Sequence, residues 1–166
     1  MTTIASQIKQ LMDEYHLRLA VAESITTGNV QAAIGSVSGS STYFEGGMTV
    51  YSRGQKVEHL GVNNEHAREV NSVSARVAQE MARGICLKYD VDVGIGTTGY
   101  AEAYPQEGII EPHGYFAVWR RSNHETGKIV LSDRITGAGL GRVAMQHHMT
   151  TEVLRSLLAY LESLRQ

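Results

Sequence analysis

The chain has 166 residues, of which 42% are hydrophobic and 19% charged, and this size and composition predict one globular domain over 1–166. Its 15 basic and 17 acidic residues give a net charge of −2, which argues against nucleic acid or a membrane surface as a partner. The lone Cys86 excludes an internal disulfide framework, and the lack of a recognisable signal peptide or spanning segment predicts a cytoplasmic protein.

In the first half of the chain, the spacing of apolar residues predicts helices that alternate with strands. Ser52 is expected to cap the last of these helices, and the pair Gly46-Gly47 predicts a bulge or a close approach inside a strand. The predicted elements are, in order, a helix over 3–15, a strand over 18–22, a helix over 28–36, a strand over 43–51 and a helix over 53–60.

In the second half, Ser74 is expected to cap a longer helix that carries Val77, Met81 and Ile85 on one stripe. Strands covered on both faces, with helices between them, predict an α/β fold with three layers, an α/β/α sandwich. The remaining predicted elements are a strand over 91–98, a loop over 99–112, strands over 114–120 and 128–135, and a helix over 142–164.

The first candidate for chemistry is the segment Ala22–Gly28, which follows a buried strand and enters a helix. In open α/β sheets, ligands bind beyond the carboxyl ends of the strands. Ser24 is therefore a candidate nucleophile or phosphate ligand, and Glu23 is a candidate for orienting a neighbour or binding a hydroxyl. The alternative is that Ser24 and Thr26 only cap the helix.

Tyr51 and Lys56 follow another strand end. Serine needs a neighbouring base, and a desolvated lysine can accept its proton while a tyrosine relays it. The alternative is that Lys56 is a solvated helix residue and that Tyr51 is an aromatic residue of the strand, with no role in a site. Thr98 and Gly99 end a further strand, as part of a site or as a simple glycine turn. We expect Ser24, Tyr51, Lys56 and Thr98 to converge on one pocket.

Two arginines near the last predicted helix are candidates for binding an anionic group of a ligand. Arg142 could hold a phosphate or a carboxylate, with Arg134 as its competitor and an exposed arginine without a role as the alternative. His147 and His148 are adjacent and do not face one another on a helix, so no metal site is predicted. Dinucleotide and P-loop motifs are absent from the sequence, and no cofactor is predicted.

Together these segments resemble the C-terminal domain of the competence/damage-inducible protein CinA family, which includes stand-alone nicotinamide-nucleotide amidases. The family pattern A-E-S-C-T-G-G appears here as A-E-S-I-T-T-G over 22–28. The resemblance runs from about residue 4 to 164. Its other matches are the serine-rich loop and strand over 37–52, Lys56, Leu60-Gly61-Val62, Val73-Ser74 and Thr98-Gly99.

The resemblance implies a mixed, mostly parallel sheet and hydrolysis of the carboxamide of nicotinamide mononucleotide, giving nicotinate mononucleotide and ammonia. It implies that Ser24 is the nucleophile and that Tyr51 and Lys56 activate it. Thr98 would hold the substrate or the oxyanion. The predicted substrate-binding residues are Glu23, Thr26, Gly28, Gly99 and Arg142.

The chain departs from the family pattern in the loop after Gly99. Where the family has a glycine-rich run, this chain has 100–107, which carries Glu102 and Glu107, and Thr27 replaces a family glycine. Negative charges disfavour an anionic nucleotide, so we expect weak turnover of nicotinamide mononucleotide. The alternatives are a catalytically inactive paralogue that binds a ligand or partner, and hydrolysis of a different, uncharged or cationic amide.

We expect a small nucleotide or amide as the ligand. The aromatic and methionine residues of 43–51 and the leucine stripe of the last helix also predict a homo-oligomer, most simply a dimer.

Overall fold

The computed structural model describes residues 3–165, which form five strands, six helices and two short 3₁₀ turns. The strands are β1 Leu19–Glu23, β2 Phe44–Thr49, β3 Val93–Tyr100, β4 His113–Arg121 and β5 Gly127–Thr136. The helices are α1 Ile4–Glu14, α2 Asn29–Gly35, α3 Arg53–Leu60, α4 Asn64–Glu69, α5 Ala75–Lys88 and α6 Arg142–Ser163, and the 3₁₀ turns are Ser40–Thr42 and Pro105–Glu107.

The strands form one mixed sheet in the order β2-β1-β3-β4-β5. β1 pairs in parallel with β2 and β3, whereas β4 is antiparallel to both of its neighbours. Four strands therefore point the same way, although the pairings are two parallel and two antiparallel. The predicted α/β class and mixed sheet are confirmed. The carboxyl ends of β1, β2 and β3 lie at the same edge of the sheet.

Two hydrophobic cores lie on opposite faces of the sheet. One is formed with α1, α2 and α6, and the other with α3, α4 and α5. Strand β1 contributes to both, because Leu19 and Val21 face the first core and Ala20 and Ala22 face the second. The predicted three layers are thus confirmed. No helix within residues 3–165 is long and apolar enough to cross a membrane.

Helix α5 packs unusually close to the middle of the sheet. A Cβ at Gly94 would lie 2.0 Å from the carbonyl oxygen of Ala82, and one at Gly96 would lie 2.3 Å from that of Ala78. These strand glycines therefore serve the close approach of a helix backbone. The register of β1 against β2 also shifts between Leu19 and its neighbour Ala20, so the predicted irregularity in the second strand is confirmed.

Helix α4 is absent from the sequence-based expectations. Asn63 caps it, but five of its six residues are polar or charged and only Ala67 is buried, so the sequence has no apolar periodicity that would predict this helix. The leucine stripe of α6 gives a second difference, because Leu154, Leu157 and Leu161 are buried within this chain, where α6 packs on α1. That stripe needs no partner subunit, and the dimer stays a prediction.

We expect Gly94→Ala to lower the free energy of unfolding by about 1–3 kcal/mol, because the added methyl group would overlap the Ala82 carbonyl. The matched control is Gly54→Ala in α3, where the nearest atom is 3.9 Å from the added Cβ. That control should be neutral or stabilising by up to about 1 kcal/mol. Urea unfolding followed by circular dichroism measures both, and equal stabilities of the two variants would contradict the packing argument.

Candidate active site

A cavity of about 470 Å³ opens at the edge where the parallel strands end. Ser24 follows β1 directly, Tyr51 follows β2, and Thr98 lies near the end of β3. The predicted convergence of these residues with Lys56 is confirmed, because all four line the cavity. The predicted site residues that line it are Ser24, Tyr51, Lys56, Thr98, Gly99 and Arg142.

The amine of Lys56 lies beside the hydroxyl of Ser24. The distance between Lys56 Nζ and Ser24 Oγ is 2.9 Å, and Lys56 is 1% exposed. The same amine donates to the main-chain carbonyls of Val50 at 2.9 Å and Tyr51 at 2.8 Å. Side chains of a helix lean toward its N-terminus, so a lysine in the first turn of α3 reaches back to the chain that leaves β2. The Ser52 side chain, which accepts from the Gln55 N–H, caps that turn.

Burial lowers the pKa of Lys56 to about 8. The neutral amine has two N–H groups, which satisfy the two carbonyls, and one lone pair, which is left to face the hydroxyl of Ser24. This is the arrangement that a general base requires, since the base must lie within hydrogen-bond reach of the proton that it removes.

Glu23, Thr26 and Gly28 do not line the cavity, contrary to the predicted substrate contacts. Glu23 is fully buried, and its carboxylate accepts the main-chain N–H groups of Gly28, Val30 and Gln31 at 2.8–3.2 Å. Thr26 is also fully buried and bonds to Thr97 at 2.8 Å between the hydroxyl oxygens. These residues therefore hold the turn around Ser24 at the start of α2 and leave no group for a ligand.

Tyr51 and Thr98 line the cavity, but their polar groups are used differently from the prediction. The side chains of Ser24 and Lys56 donate to the main-chain carbonyl of Tyr51. The Tyr51 hydroxyl instead lies 3.5 Å from Arg142 Nη1. The Thr98 hydroxyl donates to the carbonyl of Ser72 at 2.6 Å, which commits its proton. Thr98 thus fixes the turn at Asn71 and Ser72, both of which have positive φ. The strained turn and the carbonyl contacts carried no sequence signal.

The main-chain N–H groups of Ser24 and of the residue after it differ in their hydrogen bonding. The main-chain N–H of Ser24 is bonded to the carbonyl of Thr97 at 3.0 Å and is not free. The N–H of Ile25, a residue that lines the cavity, has no acceptor among residues 3–165. The N–H after a nucleophile is a common oxyanion donor.

Of the two arginines that the sequence offered, Arg142 lines the cavity, and Arg134 is exposed on β5 outside it. The carboxylate of Glu102 accepts from Arg142 Nε at 2.9 Å and also from Nη2, and this contact raises the pKa of Arg142. Glu102 and Glu107 both line the cavity, as the departure in loop 100–107 suggested. Thr27 lies outside it and accepts from Gln146, so it does not crowd the ligand space.

Comparisons with known proteins agree on one family. A sequence model of the CinA C-terminal domain matches residues 1–161. A CinA-like protein of Chlorobium limicola is 30% identical over 161 residues, which are 97% of this chain and 37% of that protein. A CinA-like protein of Picosynechococcus sp. is 52% identical over 83 residues, which are 50% of this chain and 20% of that protein.

The matched regions therefore span only 20% and 37% of the length of these two curated relatives. Among solved structures, a CinA superfamily protein from Klebsiella pneumoniae superposes with a TM-score of 0.85 at 22% identity, over 96% of both chains. That likeness shows a shared fold.

We expect Glu23→Gln to lower the free energy of unfolding by about 2 kcal/mol, because three N–H groups lose a charged acceptor. Amide hydrogen exchange at Gly28, Val30 and Gln31 should become faster. Glu58→Gln, at an exposed position of α3, is the matched control and should change neither quantity. Unaltered exchange at these three amides in Glu23→Gln would show that the carboxylate does not hold the turn.

Proposed function

The chain belongs to the CinA C-terminal domain family, and we propose that it is an amidohydrolase with Ser24 as nucleophile and Lys56 as general base. The observation that carries the proposal is the buried Lys56 amine, 2.9 Å from Ser24 Oγ. As substrate we propose nicotinamide mononucleotide, whose carboxamide is converted to a carboxylate with release of ammonia.

In the first step, Lys56 Nζ accepts the proton of Ser24 while Oγ forms a bond to the carboxamide carbon. The carbonyl oxygen becomes an oxyanion, for which the N–H of Ile25 is the proposed donor. Lys56 then gives its proton to the amide nitrogen, the C–N bond breaks, and ammonia leaves an ester on Ser24. Lys56 then takes a proton from a water molecule, whose oxygen bonds to the ester carbon; the bond from that carbon to Ser24 Oγ breaks, and Lys56 returns the proton to Oγ as the carboxylic acid leaves.

The lowered pKa of Lys56 supports the role of this residue as a base. At pH 7.5, a pKa of about 8 leaves roughly a quarter of the amine neutral, against about 0.1% at the ordinary value of 10.5. A protonated lysine has no lone pair to accept the serine proton. Burial of the amine thus supplies the neutral base at a pH where an exposed lysine would be almost wholly charged.

The residues that line the cavity support the choice of a flat, ring-bearing amide as the substrate. Tyr51 and Tyr104 line the cavity and are 58% and 51% exposed, so both rings are open to a ligand. Aromatic faces bind planar rings by stacking and by burial of area. The two carboxylates of Glu102 and Glu107 weaken binding of a phosphate in the same space, and we expect turnover of the mononucleotide to be slow.

Ser24→Ala and Lys56→Met should each reduce ammonia release from nicotinamide mononucleotide by at least about 10³-fold, because each removes one half of the nucleophile–base pair. Lys128→Met, at an exposed lysine of β5, is the matched control and should keep the wild-type rate. Ammonia release at millimolar substrate is the measurement. A Lys56→Met enzyme with more than a tenth of the wild-type rate would contradict the proposal.

The value of kcat/KM should rise with pH to a plateau, with a midpoint near pH 8, because only the neutral amine of Lys56 accepts the serine proton. The rate rises with pH because the neutral amine is the form that accepts the proton. Burial lowers the pKa of Lys56, so this neutral form predominates above about pH 8. A rate that is flat from pH 6 to 10, or that falls across this range, would exclude Lys56 as the base.

A further inference from the structure

We propose that Glu102 is a specificity-determining residue that makes the cavity favour amides without a negatively charged group, such as nicotinamide riboside in preference to nicotinamide mononucleotide. The basis is the juxtaposition of its carboxylate with the guanidinium of Arg142 at the cavity mouth. The identity of the amide substrate rests on the proposed function, whereas the effect of Glu102 on anion binding is independent of it.

The contact occupies the part of Arg142 that would recognise an anion. One oxygen of Glu102 accepts from Nε at 2.9 Å and from Nη2, which are neighbouring donors on one edge of the guanidinium. Arginine holds carboxylates and phosphates through such paired donors. The remaining Nη1 lies 3.5 Å from the Tyr51 hydroxyl. A ligand phosphate therefore finds the Nε/Nη2 edge of Arg142 already filled by a carboxylate of the same chain.

Both partners are held in place by buried neighbours. Glu102 follows Ala101, which is 7% exposed, just beyond the end of β3. Arg142 is the first residue of α6, whose first turn is anchored by the fully buried Met145. Because the backbone is fixed at both residues, the Glu102 carboxylate has a high effective concentration at the Arg142 guanidinium. A dissolved anion must compete with this carboxylate for Arg142. The two side chains are nevertheless about half exposed, so a ligand can reach them.

The charge of the ligand decides whether the pair must open. A phosphate that takes Arg142 leaves Glu102 unpaired beside it, and Glu107 adds a second negative charge to the same cavity. An amide whose ribosyl group carries no phosphate leaves the Glu102–Arg142 pair intact. Its nicotinamide ring can still stack on Tyr51 and Tyr104. The lining thus disfavours only the anionic version of an otherwise identical amide.

Arg53 is a rival candidate for binding an anion, because it lines the cavity at the start of α3 and forms no ion pair within residues 3–165. It has no partner carboxylate to displace, so an anion could enter there without opening the Arg142 contact. The test must therefore separate Arg53 from Arg142.

The first arm compares kcat/KM for nicotinamide riboside and nicotinamide mononucleotide, which differ only by the phosphate. Wild type should favour the riboside, and Glu102→Gln should shift the ratio toward the mononucleotide by at least about tenfold, the value of one charged hydrogen bond. Adding Arg142→Gln to that variant should cancel the shift. Glu111→Gln, on the same loop but outside the cavity lining, is the matched control and should keep the wild-type ratio.

The second arm needs no catalysis and measures binding of ribose 5-phosphate against ribose by calorimetry. Glu102→Gln should bind ribose 5-phosphate at least about tenfold more tightly than wild type, with ribose unaffected. If this holds while no variant releases ammonia from either amide, the proposed function fails and the role of Glu102 stands.

Two results would overturn the inference. The first is equal binding of ribose 5-phosphate by wild type and Glu102→Gln. The second is a wild-type preference for the mononucleotide that Arg53→Gln abolishes, since the phosphate would then use Arg53 and Glu102 would not govern selection.

Discussion

The burial of one amine governs the architecture of this site. Lys56 is 1% exposed, and its Nζ is enclosed by the Ser24 hydroxyl and two main-chain carbonyls. A buried ammonium is costly, while a neutral amine with two carbonyl acceptors and one hydroxyl partner is fully satisfied. The same geometry that makes burial tolerable therefore leaves the lone pair of the neutral amine facing the Ser24 hydroxyl, and it requires β1, the end of β2 and α3 to meet at one edge of the sheet.

A second buried ionisable group supports the first. The carboxylate of Glu23 is withdrawn from solvent and used to hold the first N–H groups around α2, so Ser24 projects from a rigid turn. This division of work has a chemical reason. Reacting groups must be held to within about 0.5 Å of their productive geometry, and a charged acceptor shared by three main-chain donors restricts the turn more than a neutral cap does.

The sequence predicted the layers and the convergence of Ser24, Lys56 and Thr98, because strand-end positions in a parallel arrangement share one edge. It could not predict that Glu23 faces inward, since the residue type suits a ligand contact and a helix cap equally well. The prediction for Tyr51 assigned the role to its side chain, whereas its main-chain carbonyl accepts from Lys56. The identity of a side chain gives no information about the contacts of the carbonyl. Helix α4 lacked an apolar period, and its cap at Asn63 was the only local signal.

Burial should make the Lys56 amine largely neutral at moderately alkaline pH, and this can be measured by titrating the NMR signals of Lys56 itself. Lysine labelled with ¹³C at Cε, assigned by comparison with Lys56→Met, would be followed from pH 6 to 11 in the folded protein. We expect a midpoint near 8 for Lys56, well below the ordinary lysine value of 10.5. A midpoint of 10 or above would rule this out, because the Lys56 amine would then be charged at neutral and moderately alkaline pH.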